Sequence, residues 1–422
     1  MRKPALFFII CAILFPLTLR AEEVFLTMDE AIAIALRDNR DVLLKAEEVE
    51  KAKEKISEAK GGLLPTLDFT GSRTLTRGLY AKDIAQTTTQ ATLKQYLYKG
   101  GKTLNSIEEN RYEFKVSQAL LDKIRLETLL NVKKAFYTFL LTKEFAGLNK
   151  DIIDNTKLHG EVVKARFQHG QLSESDVLKI QESLSRVIEA YETSLNQVDS
   201  SEAVLRNFLY LDETVSIRPL AEFTYEPRDV AYTEGFLEAM KTRPEIRQYI
   251  AQENADNKAI EVAKADGRPN IYASWDYYSR STTSLTFSPN KGWQDYNIIG
   301  LTFTWPIFDG RETRAKVEEA IIDLKETRLL KEKSVKDIAL ELKNAYLDLK
   351  NAVAKIKSSQ AQINLYKDTL SVIKEKYDAG VASSLDLNDA SLGYEVSLFN
   401  QKQAIYDYIL AEARFDKATG GI

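Results

Sequence analysis

Three pairs of short segments recur at one spacing, and that repeat constrains the fold more than any other feature. Leu97-Tyr98-Lys99-Gly100-Gly101 corresponds to Ile307-Phe308-Asp309-Gly310-Arg311. Arg166-Phe167-Gln168-His169-Gly170 corresponds to Lys376-Tyr377-Asp378-Ala379-Gly380, and Asp176 to Asp386. Each pair is offset by 210 positions. A register unbroken over about eighty residues implies duplication of one structural unit. Pro65 and Pro269 differ by only 204 positions, so the loop joining the strands is longer in the second copy. Each copy reads helix, strand, strand, long helix, turn, helix.

The long helix is clearest in the second copy. Residues 311–379 contain neither Gly nor Pro. A helix of that length would run to roughly 100 Å at 1.5 Å per residue, and a coiled coil is the ordinary way to bury it. Val335, Leu342, Leu349, Ile356, Ile363, Leu370 and Tyr377 recur every seven residues, with Ile338, Ala345, Ala352, Ser359, Tyr366 and Ile373 three behind. These are a and d positions of a heptad, and a strict seven-residue repeat implies left-handed supercoiling. Other helical runs are expected over about 27–60, 102–158, 173–209, 232–265 and 384–418.

Two regions, 63–98 and 269–308, change character and are rich in Thr, Ser, Tyr and Trp. Ile299, Leu301, Phe303, Trp305 and Ile307 alternate with Gly300, Thr302, Thr304 and Pro306, the period-two pattern of a strand with one apolar face. Companion strands are expected over 66–77, 87–98 and 270–281, joined by connectors at about 78–86 and 282–295. Strands of about twelve residues exceed what a tilted membrane strand needs.

The chain begins with a targeting pattern. Arg2 and Lys3 precede an apolar stretch, Ala5 to Leu19, and Ala21 stands before Glu22-Glu23. This reads as a secretory signal peptide over residues 1–21. Removing it takes Arg2, Lys3 and Arg20 and moves the net charge from −4 to −7. The only cysteine, Cys11, lies inside the signal after Ile9-Ile10, so the mature chain is expected to have no disulfide and no lipid anchor. No later stretch has eighteen consecutive apolar residues. A secreted chain can still enter a membrane as a closed β-barrel, which satisfies every backbone group. The absence of a basic bias argues against a nucleic-acid partner.

Four strands cannot close a barrel, since the smallest membrane barrels have about eight. Oligomerisation would remove the open edges: two subunits give eight strands and three give twelve, and long hairpins favour the wider tube. Here the chain resembles the TolC family of outer-membrane efflux proteins over essentially its whole mature length. The resemblance rests on the tandem repeat, on the strands after Leu63-Leu64-Pro65 and Arg268-Pro269, and on the junction Trp305-Pro306-Ile307-Phe308-Asp309-Gly310-Arg311. It rests most on a hairpin-tip motif present twice: Phe167, Gly170, Leu172, Asp176, Val177 and Leu178, then Tyr377, Gly380, Asp386 and Leu387.

The resemblance implies a mainly α protein with membrane β-barrel strands. It implies a homotrimer forming a 12-stranded β-barrel continuous with an α-helical coiled-coil tunnel. The partners implied are a periplasmic adaptor (a membrane fusion protein) and an inner-membrane transporter of RND or ABC type, in efflux or type I secretion. The location implied is the outer membrane of a diderm bacterium, with the helices extending into the periplasm. The expected organisation is a first repeat over 22–211, a linker or equatorial segment over 212–231 and a second repeat over 232–422. The family's aperture acids correspond to Asp386 and Asp389 and its latch tyrosine to Tyr377, while Ala382 stands where a basic latch residue is usual.

Asp386 and Asp389 are three apart at a helix start and share a face; threefold symmetry would make each a carboxylate ring that attracts cations. Ser383-x-x-Asp386 and Ser173-x-x-Asp176 are also capping-box patterns, which need no role in gating. Gly170 and Gly380 suit helix ends. Leu172, Val177, Val381 and Leu387 are candidate adaptor contacts or packing within the hairpin. Tyr96, Tyr98, Trp275, Tyr277, Trp293 and Trp305, with Tyr278 and Tyr296 nearby, are candidates for an aromatic girdle. Gly101-Lys102-Thr103 imitates a phosphate loop but lacks the required glycine at Tyr96. The two histidines, His159 and His169, match no metal or triad pattern and are expected to face solvent. No cofactor, metal or catalytic constellation is expected, and the chain reads as a duct rather than an enzyme. The competing reading is a periplasmic coiled-coil scaffold without a pore.

Overall fold

The structure is a computed structural model that describes residues 23–76, 84–281 and 292–421, and the side chains of these except Ile84 and Ser384. The signal segment, with Cys11 and Ala21, and most of the two strand connectors lie outside the described residues.

The two copies of the repeat have hairpins of equal length. Helix α3 (Lys102–Gln168) and helix α7 (Glu312–Asp378) each hold 67 residues; helix α4 (Glu174–Leu209) and helix α8 (Ser384–Thr419) each hold 36. α3 runs ten residues beyond the expected end at 158, through Gly160. The α7 heptad is buried at Ile338, Leu342, Ala345, Leu349, Ala352, Ile356, Ser359 and Ile363. Beyond Ile363 it opens, and Tyr366 is 42% exposed.

The shorter helical runs are each broken. Residues 27–60 form α1 (Met28–Asp38) and α2 (Arg40–Gly61), because Asn39 leaves the helix and its side chain accepts hydrogen bonds from the backbone of Asp41 and Val42. That is an N-cap restarting the chain in a new direction. Residues 232–265 form α5 (Tyr232–Thr242) and α6 (Pro244–Ala265), with Pro244 at the first helical position, where its missing N–H costs nothing.

Two short strands were not anticipated. β1 (Glu23–Leu26) and β4 (Ser216–Pro219) pair in parallel, Val24 opposite Ile217. The main sheet contains β2 (Thr66–Thr76), β3 (Ile84–Lys99), β5 (Asn270–Ser281) and β6 (Trp293–Thr304). Its order is β2-β3-β5-β6, antiparallel throughout, so β2 and β6 are its edges. The last strand begins earlier than its alternation suggested and ends before Trp305-Pro306, since proline cannot donate to the ladder. A register shift between Tyr96 and Tyr98 marks a bulge in β3.

The chain divides into two compact units, each assembled from three stretches, and both cut across the repeats. The first comprises residues up to Ala35, Asn131–Thr224 and Ile356–Tyr406. Its core joins Leu26, Ala31, Ala35, Val132, Phe136, Phe139, Leu205, Leu209 and Ile217. Phe136 and Phe139 are at most 1% exposed; full burial of each such side chain stabilises by about 1.5–3 kcal/mol. The second unit comprises Leu36–Leu130, Tyr225–Lys355 and Asp407–Ile422, and holds the main sheet. At the α5–α6 corner Arg243, 3% exposed, donates to Glu245 (3.0 Å), Glu341 (2.8 Å) and the Lys417 carbonyl (2.8 Å). Lys417 also pairs with Glu341 at 3.0 Å, and Thr242 donates to the Thr419 carbonyl at 2.5 Å. A buried guanidinium is tolerated because every direction finds an acceptor.

Candidate functional site

The hairpin tips are built identically in both copies. At the end of α3 the Gly170 N–H donates to Phe167 (2.9 Å) and the Gln171 N–H to Arg166 (3.0 Å). At the end of α7 the Gly380 N–H donates to Tyr377 (2.9 Å) and the Val381 N–H to Lys376 (2.9 Å). These paired bonds are the Schellman motif, which needs a left-handed residue. Gly170 has φ +69° and Gly380 φ +75°.

The following helices start on serine caps. Ser173 donates its backbone N–H (3.0 Å) and hydroxyl (2.7 Å) to the Asp176 carboxylate. Ser383 does the same for Asp386 at 2.8 and 2.7 Å, and accepts from the Asp386 N–H at 3.1 Å. The serine hydroxyl, then the serine N–H, holds each carboxyl below the usual aspartate range. Asp386 is therefore a structural cap, ionised at neutral pH. Asp389, one turn on, is exposed, and Tyr377 is half-buried.

Apolar side chains crowd these tips without full cover. Val381 is 79% exposed, while Leu172, Val177 and Leu387 are half-buried. Leu178 and Leu385 are exposed as well. On α8, a Cβ at Gly393 would stand 2.9 Å from the Tyr366 ring, so α7 and α8 approach closely there.

One histidine departs from expectation. His169 is exposed, but His159 is buried, 8% exposed. The reason lies in the length of α3: its continuation past 158 carries position 159 into the seam. The signal was available, since Phe145, Ile152 and His159 are spaced by seven. Burial pulls the imidazole pKa down, Asp389 pulls it up and Arg166 down again.

The main sheet has two distinct faces. Register places Leu67, Leu93, Trp275 and Ile299 side by side, and Phe69, Ala91, Tyr277 and Asn297 in the adjoining row. Alternation adds Leu301 and Phe303. This face is exposed and apolar: Ile299 is 83% exposed and Phe69 75%. The opposite face is polar. Thr92 donates to Asp276 at 2.6 Å, Gln90 at 3.1 Å and Ser274 at 3.1 Å. Lys94 sits 4.0 Å over the Tyr272 ring and 4.7 Å over Tyr96. Tyr96 thus belongs to the polar face. Trp275, Tyr277 and Trp293 lie on the apolar face; Tyr98, past the bulge, pairs with Ile271 of that face. Trp305 lies beyond the ladder and is 56% exposed. The Lys94, Tyr96, Tyr272 cluster was missed because only strand register brings it together.

A protein-family model described as outer membrane efflux protein matches residues 31–209 and 237–421. Comparison with curated proteins gives no match. Among solved structures, the Campylobacter jejuni CmeC outer membrane channel is similar at 20% identity and TM-score 0.80, covering 93% of this chain and 85% of that one. The Vibrio cholerae outer membrane protein VceC is similar at 14% identity and TM-score 0.78, covering 93% and 96%. The open state of the Neisseria gonorrhoeae MtrE outer membrane channel is similar at 18% identity and TM-score 0.76, covering 93% and 89%. At these identities the likeness is one of fold.

Proposed function

The chain belongs to the outer membrane efflux protein family, and from that membership we propose that it is one subunit of a passive exit duct, delivered to by an inner-membrane pump through a periplasmic adaptor. The observation that carries the reading is the main sheet. It has an exposed apolar face, a polar face and two open edges. Lipid covers such an apolar face, and only closure removes such edges. Three copies joined β6 to β2 make a twelve-stranded barrel, with the polar face, including Lys94 and Asp276, lining the lumen. Trp275, Tyr277, Trp293, Trp305 and Tyr98 supply its aromatic girdle.

The tips form the periplasmic aperture. Asp389, exposed beside the capped Asp386, gives a ring of carboxylates in the trimer, with Tyr377 next to it. Gly170, Leu172, Asp176, Val177, Gly380, Val381 and Leu387 make the docking surface for adaptor helices; the exposure of Val381 supports this. Cargo passes through unchanged, so the duct carries out no reaction of its own.

The test is conductance of the purified protein in a planar lipid bilayer, with its mass measured by native spectrometry. Discrete cation-preferring steps from a trimer support the reading. Silence from inserted trimers that also fail to bind any adaptor, or a soluble dimer, would sink it. In the conducting protein, Asp386→Asn with Asp389→Asn weakens cation preference; unchanged selectivity retires the carboxylate ring.

A further inference from the structure

The tip half of α3 is buried through polar residues. Asn149, Thr156 and His159 are 7%, 6% and 8% exposed, on the same stretch as Ile153 and Val163 at 6% each. What His159 faces follows from helix register. Lys402 of α8 donates to Glu144 of α3 at 2.5 Å, and the Phe145 ring meets that of Phe399, tilted, at 5.0 Å between centroids. Thr138 and Tyr406 meet at 2.9 Å. Each step along α3 is thus matched by one step back along α8. Carried to position 159, that register sets the imidazole level with the turn Leu385–Leu387, which holds the cap at Asp386, with the free acid Asp389 one turn further on. On the α4 side, the neighbouring Gly160 faces Ile180, with 3.7 Å between its notional Cβ and the Ile180 Cγ1.

The charges around the imidazole are few. Asp389 comes from α8 and Arg166 from α3. On α4, Lys179 and Glu182 are exposed and Glu182 pairs with Arg186. On α7, the contact of Gln360 with Gln401 sets Lys374 and Glu375 level with the same turn of α8, and both are exposed. Asp386 is already engaged by Ser383. The buried site therefore offers one carboxylate, Asp389, as counter-charge.

We infer that His159 is a proton-responsive seam residue, whose protonation loosens the packing of α3 against the first turn of α8 and so sets Asp389 and the tip free. This rests on the reading of the tips as an aperture for its meaning, but not for its test. Burial depresses the imidazole pKa more than Asp389 restores it. A depressed base binds fewer protons folded than unfolded. Its stabilisation is therefore complete above the ordinary histidine range and is lost as pH falls through it.

The test uses the full chain as the detergent-solubilised assembly. Amide hydrogen exchange, corrected for its intrinsic pH dependence, is followed from about pH 7.5 to about pH 5, a range that brackets the imidazole titration. Protection of segments 150–168 and 384–395 is expected to fall about tenfold as these segments open locally. The fall is expected to vanish in His159→Gln and to persist in His169→Gln. Flat protection in the native protein, or an equal fall in His159→Gln, overturns the inference. Should His159→Gln fail to fold, the two histidine ring signals of the native protein decide by magnetic resonance: a His159 midpoint at or above that of His169 overturns it. Conductance separates the two readings. A conducting trimer with pH-independent tips retires the sensor alone, and acid-loosened tips in a protein with no pore retire the duct alone.

Discussion

The two hairpins are the same object in outline and different in their seams. Each has a long helix of 67 residues and a return helix of 36, the same Schellman turn and the same serine cap. At the constant offset, Ile153 corresponds to Ile363, both 6% exposed, and Asn149 to Ser359, both buried. The agreement ends there. Thr156 is buried where Tyr366 is 42% exposed, and His159 is buried where Thr369 is exposed. Length and caps therefore set the geometry, while seam content sets how each tip responds. Duplication kept the first and released the second, because caps are fixed by backbone bonds and seam positions only by fit.

The bases of the hairpins differ most in energy. Arg243 of the second copy stands where the first has Asn39, by the offset that relates Pro65 and Pro269. Arg243→Ala strands Glu245, leaves Glu341 with Lys417 alone, and is expected to cost about 3 kcal/mol, the low end for a broken buried pair because Glu341 is a third exposed and keeps that partner. Asn39→Ala removes a cap and should cost about 1 kcal/mol. Denaturant titration of the two variants would show it; equal losses would mean the ionic corner is not the stronger anchor.

Next in size are the tip glycines. Neither Gly170 nor Gly380 has an atom within 4 Å of an added Cβ. Gly170→Ala and Gly380→Ala should each cost about 1–2 kcal/mol, all from the left-handed backbone. Losses that differ between the two would break the equivalence of the turns.

Ser173→Ala and Ser383→Ala are expected to destabilise their helix starts by about 0.5–1 kcal/mol each. Exchange at residues 174–177 and 384–387 reads this directly. Equal losses are expected, because both helix starts carry the same capping box.

The smallest effect is with pH. Asp176 and Asp386 are held below the usual aspartate range, so their contribution is present above that range and lost as pH falls through their lowered values. Glu109 of α3 behaves oppositely. Burial, then Glu113 and Asp256, push it up. Its contribution is present below the usual glutamate range and lost as pH rises through its raised value. Glu109→Gln should therefore flatten the acid-side gain in stability, and a denaturation series across pH would show no change if neither burial nor the neighbouring acids raise Glu109.

Much of this could be read from residues alone where the signal is local. A heptad in α7, alternation in β5 and β6, and glycine and serine at the tips each report within a few residues. The break at Asn39 was readable too, as a capping residue inside a helical run, but periodicity on both sides concealed it. Other features could not be read. β1 and β4 hold four residues each and pair across about 190 positions, so no local pattern announces them. The polar cluster around Lys94 needs strand register, and the burial of His159 needs the true end of α3. Tyr96 shows the same limit: alternation tells which residues share a face, but a bulge one residue later changes which aromatic joins the apolar side.

The second compact unit takes its last stretch from Asp407 onward, and the carbonyls of Lys417 and Thr419 are what Arg243 and Thr242 grip. During synthesis, the corner at Arg243 exists for more than a hundred and seventy residues before the Lys417 carbonyl does. Until then its guanidinium has only Glu245 and, later, Glu341 to meet. The corner is thus completed by the unit's third stretch, which ties the closing of the α5–α6 corner to the presence of α8.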